Sequence, residues 1–265
     1  MKKVLTIAGS DSCGGAGIQA DIKTMSALGV YGMSVITAVT AQNTQGVTAV
    51  QEIQKEIVEA QLRAIFDDIQ VDAVKIGMVS NSEIIRTIRE ILIEYKIKNI
   101  VLDPVMISKS GYYLLKPEAI DELKKLISIV DIVTPNIPEA EELTGMKIFS
   151  EDDMKKAALK ILEYKPKYVL VKGGHRCNDA KDVLYYDGEF LTIDGDRINT
   201  KNTHGTGCTL SSAIASYIAR GHRVEEAVKL SKEYISKVIK NSFSIGKGVG
   251  PVGHFVDLYN KAGSL

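Results

Sequence analysis

The sequence predicts an α/β fold in three layers: a mainly parallel central sheet, helices on both faces and an antiparallel hairpin at the edge. Three observations predict it. Short apolar, β-branched runs alternate with longer amphipathic ones along the chain. The strand candidates are nearly continuous in apolar residues, which suits parallel strands covered on both faces. Finally, "VLYYDGEFLTI" places Asp187-Gly188 between two β runs, a hairpin signature.

The elements follow in order. Residues 4–8 form the first strand, and a glycine-rich loop leads to a helix over 16–28. A second strand covers 34–41. Helical periodicity over 56–69 precedes a strand at 73–76. A helix over 83–95 is followed by "NIVLD" from Asn99, another strand. The helix over 117–127 has Pro117 at a favourable first-turn position. "DIVTP" from Asp131 is a strand that stops at its proline. A short helix over 138–143 ends at Gly145, and another covers 152–164. "YVLVKGG" from Tyr168 is a strand, and the 183–193 hairpin comes next. Two helices close the pattern, from Gly207 and from Val224, the first ending at Gly221. No low-complexity tract, long linker or repeat intervenes, so residues 1–265 are expected to form one domain.

Composition narrows the function. Lys plus Arg and Asp plus Glu each number 33, a formal net charge of zero. That argues against a nucleic-acid surface or a membrane-binding tail. No run approaches the roughly 18 apolar residues of a membrane span, and the first apolar run is too short for a signal peptide's core. The three cysteines, Cys13, Cys177 and Cys208, lack paired spacing, which points to a reducing compartment. The expectation is a cytoplasmic protein that handles small molecules.

Sheets of this kind bind ligands at the carboxyl ends of their strands. The unusual residues fall there: 9–17, Gln42-Asn43-Thr44, Gly77-Met78, Asp103-Pro104, 136–139 and Lys172-Gly173-Gly174. "GSDSCGGAG" lacks the Gly-Lys-Ser/Thr ending of a P-loop. Gly15-x-Gly17-x-x-Ala20 fits a dinucleotide fingerprint, but the second strand ends in "TAQNTQG", with no acid to hold a ribose. The loop is read instead as backbone that lets a small ligand approach closely. Gln42 offers an acceptor beside a donor, which matches a ring edge carrying an amino group next to a ring nitrogen. Its plainer reading is an ordinary polar loop residue.

Asp103, Asn136 and Glu139 put oxygen atoms at strand ends, which suits magnesium. Lys172 places a point charge suited to phosphate. Each has a structural alternative: an Asp-Pro turn, a capping box between Asn136 and Glu139, and a surface lysine. In "TKNTHGTGCTLSSAIASYIARG", Gly205, Thr206, Gly207 and Cys208 open a helix whose free N–H groups attract negative charge. The alternative there is a packed turn with a buried thiol. Together these residues favour a magnesium–nucleotide phosphotransferase. His175, His204, His222 and His254 show no HExxH or His/Cys clustering, so no zinc site is expected; His204 adjoins the proposed turn.

"LTIAGSDSCGGAGIQADIKT", "YGMSVITAVTAQNTQGV", "VKIGMV", "VLDPVM", "TPNIPEAEEL", "VKGGH", "NTHGTGCTLSSAIA" and "GVGPVGHF" resemble, in order and across nearly the whole chain, the hydroxymethylpyrimidine/phosphomethylpyrimidine kinases of thiamine biosynthesis. The resemblance implies a ribokinase-like fold, a homodimer, and use of ATP and Mg2+ in two successive phosphorylations of 4-amino-5-hydroxymethyl-2-methylpyrimidine. It assigns Gln42 to the pyrimidine edge, with Gly9, Asp21 and Met78 in the same pocket. It assigns Asp103 and Glu139 to the metal, Lys172 and Asn136 to the nucleotide phosphates, and Gly205, Thr206 and Gly207 to the anion hole. Val249 and Gly250 are matched to the adenine. Cys208 stands where related sugar kinases have Asp. A helix N-terminus lowers a thiol's pKa, so Cys208 is expected to accept the hydroxyl proton or to orient the hydroxyl. The closing loop is expected at 108–113, around Gly111. The rival readings are a pyridoxal kinase on the same scaffold, a dinucleotide-binding oxidoreductase and a catalytically silent ligand-binding protein.

Overall fold

A computed structural model describes residues 1–107, 111–174, 180–195 and 197–263. Among the described residues the strands are β1 (Lys3–Asp11), β2 (Tyr31–Asn43), β3 (Gly46–Glu52), β4 (Ala73–Ile76), β5 (Ile100–Leu102), β6 (Ile132–Val133), β7 (Tyr168–Val171), β8 (Asp182–Tyr186) and β9 (Glu189–Ile193). The helices are α1 (Gly17–Ala27), α2 (Lys55–Phe66), α3 (Ser82–Glu94), α4 (Ile120–Ile127), α5 (Ile137–Thr144), α6 (Glu151–Leu162), α7 (Thr206–Ala219), α8 (Val224–Lys240) and α9 (Val256–Lys261), with a 3₁₀ turn Pro117–Ala119 leading into α4.

The strands form one sheet in the order β3-β2-β1-β4-β5-β6-β7-β8-β9. The strands from β2 through β7 in that order run parallel. Alternate residues feed two cores, as the pleat requires. Leu5, Ile7, Val74 and Ile76 enter the core under α2 to α6. Val4, Ala73, Val101 and Ile132 enter the core under α1, α7, α8 and α9. This is the expected three-layer arrangement. At one edge, β8 and β9 are joined by Asp187 and Gly188 at φ 47° and 90°, the two positive values that a type I′ hairpin turn needs.

Two elements differ from the sequence reading. The edge strand β3 pairs antiparallel with β2, so the sheet has antiparallel strands at both edges and not at one. Its residues are mostly half-buried or exposed on both faces, so no apolar alternation marks them. The short helix α9 buries only Val256 and likewise carries little pattern.

All the parallel strands point their carboxyl ends to one edge. The loops there bring together residues distant in sequence, including 9–17, 42–44, 103–106 and 204–208.

Candidate active site

The anion-binding end is built on the first turn of α7. Gly205 caps it at φ 79°, a left-handed conformation that suits glycine. A β-carbon there would lie 1.7 Å from the Gly15 carbonyl oxygen, so a larger residue does not fit. No side chain caps the helix; the Thr206 N–H donates to the Thr203 carbonyl at 3.4 Å, and it is the opening N–H groups of a helix that suit an anion.

Asp103 follows β5 and Lys172 follows β7, with Lys172 Nζ donating to Asp103 Oδ1 at 2.6 Å. The pair lies before the turn. A β-carbon on Gly207 would sit 3.4 Å from Asp103 Oδ2 and 3.6 Å from Lys172 Nζ. Burial opposes the Lys172 charge, but Asp103 and Glu139 outweigh it and raise the ammonium's pKa. Glu139 is buried and forms the capping box of α5: Asn136 Oδ1 accepts from the Glu139 N–H at 2.9 Å, and Glu139 Oε2 accepts from the Asn136 N–H at 2.8 Å. The structural alternative therefore holds for both residues. Burial also pushes the Glu139 carboxyl up to about 7, against the pull of Lys172 and with Asp103 adding to the rise. No group of three or more His, Cys, Asp or Glu side chains suited to a metal occurs among the described residues. Two carboxylates fit an ion that keeps most of its waters and arrives with phosphate oxygens, not a caged resident metal.

Cys208 is half-buried on the same turn. Its expected acidity is corrected by the structure. Burial pushes the thiol up to about 11; Lys75 and the Gly17 N–H oppose the rise, while Asp21 and Asp103 add to it. Low solvent access outweighs the helix end, so the sulfur is a thiol at neutral pH.

The other end of the candidate site is a set of hydrogen bonds centred on Asp11. Asp11 Oδ1 accepts from the Cys13 N–H at 2.8 Å, and its Oδ2 accepts from the N–H groups of Gly15 at 3.0 Å and Ala16 at 2.8 Å. The same Oδ2 lies 2.9 Å from His204 Nε2. Burial works against the Asp11 carboxylate, but His204 and these backbone donors outweigh it and lower its pKa. An ionised Asp11 only accepts, so His204 Nε2 carries a proton. The Gln42 amide lies 3.3 Å from that nitrogen and 3.3 Å from Thr40 Oγ1. Nε2 bears one proton, and it goes to Asp11 at the shorter distance, so the Gln42 amide lies against that nitrogen without a hydrogen bond of its own and turns its NH2 toward Thr40. Thr40 Oγ1 donates in turn to the Ser10 carbonyl at 3.0 Å.

Gly9 and Met78 are both buried and meet: a β-carbon on Gly9 would lie 2.9 Å from Met78 Sδ. The glycine loop's close approach is to the protein itself. A β-carbon on Gly15 would lie 2.2 Å from His204 Cδ2, and one on Gly17 2.3 Å from the Gly9 oxygen.

One assignment changes. Asp21 was expected in the pocket wall, yet it is 0% exposed. Its oxygens are taken by Lys75 at 2.8 and 3.0 Å, Thr6 at 2.6 Å and Ser212 at 2.7 Å. It lies beneath the pocket. Val249 and Gly250 have their backbone engaged within the protein. The Val249 N–H donates to Thr44 O at 2.8 Å, the Gly250 N–H to Asn202 Oδ1 at 3.0 Å, and Gly250 O accepts from the His204 N–H at 3.0 Å. They fasten the C-terminal loop to the Gln42 strand end and the α7 turn. Of the expected closing loop, residues 108–110 lie outside the described residues, as do His175 and Cys177.

The sequence reading missed Asp11 as the anchor of His204, and missed Lys75. Its signal was present: "AVKIGM" sets one lysine inside an apolar strand, a position that demands a buried partner.

A helix end that receives an anion, set beside a lysine–carboxylate pair and a thiol, is suited to moving a phosphoryl group onto a small alcohol, and the sheet that carries it is that of the ribokinase-like kinases. Within that class the chain belongs to the phosphomethylpyrimidine kinase family, whose model matches residues 11–253. It is 46% identical over 252 residues to the hydroxymethylpyrimidine/phosphomethylpyrimidine kinase of Streptomyces coelicolor, covering 95% of this chain and 93% of that one. It is similar to the crystal structure of the phosphomethylpyrimidine kinase of Clostridium difficile, with TM-score 0.82 and 57% identity, covering 91% of this chain and all of that one. It is also similar to a Bacillus subtilis pyridoxal kinase solved as an ADP complex, with TM-score 0.90 and 41% identity, covering 96% of this chain and 97% of that one. No helix among the described residues is long and apolar enough to cross a membrane.

Proposed function

We propose that the protein transfers a phosphoryl group from ATP to the hydroxymethyl group of 4-amino-5-hydroxymethyl-2-methylpyrimidine, and then a second to the monophosphate, in the cytoplasm and as a homodimer. Family membership supports the kinase reading. The observation that carries the substrate reading is the position of Gln42, whose amide lies 3.3 Å from the ring of His204, the residue next to Gly205. One short segment thus ties the ring reader to the phosphoryl-binding turn.

Gln42 reads the amino group and ring nitrogen, while Gly9 and Met78 give the ring an apolar floor. The N–H groups opening α7 receive the migrating phosphoryl, and Lys172 leaves Asp103 to meet phosphate oxygens. Asp103 and Glu139 would hold magnesium, which supplies charge neutralisation for the phosphates. Cys208, a thiol, orients the substrate hydroxyl; positioning of this kind carries most of phosphoryl transfer. A pyridoxal kinase is the second reading, favoured by the fold match to the Bacillus subtilis enzyme. Gln42 weighs against it, because pyridoxal has no amino group beside a ring nitrogen.

The test is to mix protein, ATP, magnesium and hydroxymethylpyrimidine, and to identify products by mass. Mono- and then diphosphate are expected, with kcat/KM at least about tenfold above that for pyridoxal. ADP formation independent of the pyrimidine, or phosphorylation of pyridoxal alone, contradicts the reading. Sedimentation analysis checks the dimer.

A further inference from the structure

Gln42 rides on the ribbon of β2 and β3, where burial alone holds little in place. Ala41 and Asn43 are exposed, and so are Thr48 and Ala49 across the ladder. The strands also slip at this point. Ala41 pairs with Ala49 but Gln42 pairs with Val47, so Thr48 is the extra residue of a bulge, and its hydroxyl donates to the Ala41 carbonyl at 3.0 Å. A bulge bends its strand and re-aims nearby side chains. The direction of Gln42 therefore depends on what holds the ribbon's tip.

It is held from two sides. The Gln42 N–H donates to Ser12 Oγ at 2.9 Å, and that hydroxyl donates to the Gln42 carbonyl at 2.7 Å. On the other side, Thr44 follows β2 and is gripped by the loop 246–250. The Thr44 carbonyl accepts from the Val249 N–H at 2.8 Å, and Thr44 Oγ1 accepts from the Gly248 N–H at 3.1 Å. The glycines of "GKGVG" make room for this residue. A β-carbon on Gly246 would lie 2.5 Å from Thr44 Oγ1, and one on Gly248 2.0 Å from Thr44 O. The far end of the same loop meets the segment before α7. The Gly250 N–H donates to Asn202 Oδ1 at 3.0 Å, and Gly250 O accepts from the His204 N–H at 3.0 Å. A path of adjacent residues and hydrogen bonds thus runs from Thr44 to His204, next to the Gly205 turn.

We propose that Thr44 is a positioning residue: it keys the ribbon's tip into the 246–250 loop and so holds Gln42 at a fixed reach from the α7 turn. It acts through Gln42, so the inference rests on the reading of Gln42 as the group that binds the pyrimidine.

The test uses two substitutions of the same residue. Thr44→Val keeps the branched shape and the backbone bond but removes the hydroxyl acceptor; Thr44→Ser keeps the acceptor. In steady-state assays, Thr44→Val is expected to raise KM for hydroxymethylpyrimidine about 5–10-fold and to leave KM for ATP within about twofold of wild type. Thr44→Ser is expected to restore the pyrimidine KM to within about twofold. Gly248→Ala, whose β-carbon drives into the Thr44 carbonyl, should act in the same direction by about 10–100-fold. Melting curves are recorded for each protein; should Gly248→Ala fail to fold, the two Thr44 variants carry the test. A tie that is merely structural would lower the melting temperature of Thr44→Val and leave both KM values where they were, which overturns the proposal. The double variant Thr44→Val/Gln42→Ala should bind the pyrimidine no more weakly than Gln42→Ala alone; losses that add would show that Thr44 does not act through Gln42. An unchanged pyrimidine KM in Gln42→Ala would instead remove the reading of Gln42 itself.

Discussion

At the helix end of the site, Lys172 and Asp103 stand 2.6 Å apart and neutralise one another; at the other end, Gln42 lies 3.3 Å from the His204 nitrogen that meets Asp11 at 2.9 Å. In the proposed function the first arrangement has to come apart to work, with phosphate taking the lysine and the carboxylate left to hold a metal. The second is held in working order beforehand by backbone donors that fix Asp11 and thus His204. A site divided in this way should divide its kinetics. Changes at the helix end should fall on turnover, and changes at the ring end on substrate affinity.

The largest expected effect is that of Cys208→Ala, which, by loss of positioning, should lower kcat on the order of 10²–10³-fold while calorimetry shows pyrimidine binding intact. Loss of binding along with turnover would erase the division between the two ends. Lys172→Met comes next. Removing one donor to the migrating charge should lower kcat by about 10²–10³-fold, with KM for the pyrimidine almost unmoved in steady-state assays. Gln42→Ala should do the reverse, raising KM for the pyrimidine by about 10–100-fold, as an unmade buried hydrogen bond implies, and leaving KM for ATP unchanged. A fall in kcat alone would place Gln42 at the wrong end.

The smallest effect concerns stability. His254 Nε2 lies 2.9 Å from Thr209 Oγ1, behind the first turn of α7. Burial lowers its pKa from 6.5 to about 4, with Lys23 adding to the effect. The unfolded chain therefore binds this proton first. The neutral imidazole's contribution is complete above pH 6.5 and is lost as pH falls through the window toward 4, by up to about 3 kcal/mol. Melting temperature measured across this window should fall more steeply in wild type than in His254→Gln. Parallel curves would mean that the α7 turn is not braced from this side.

The ends also differ in how far the sequence revealed them. The helix end was legible because its parts are rare residue types at strand ends: Asp103-Pro104, Lys172 before two glycines, and Gly205-Thr206-Gly207-Cys208. Burial was not legible, and it reverses the expected acidity of Cys208. At the ring end, Gln42 and Met78 could be placed by strand position, but Asp11 looked like one more polar residue of a glycine loop. Asp21 was set in the pocket because nothing along the chain shows that Lys75, distant in sequence, folds against it. The parallel core was readable from its apolar runs. The ribbon of β2 and β3 was not, since β3 has no solvent-free face to leave a pattern.

The most direct measurement is a structure of the protein with a non-hydrolysable ATP analogue and hydroxymethylpyrimidine. The account requires the terminal phosphate on the N–H groups of residues 205–208, Lys172 turned from Asp103 toward it, and the ring's amino edge on Gln42. A terminal phosphate away from that turn, or a pyrimidine bound apart from Gln42, would contradict it.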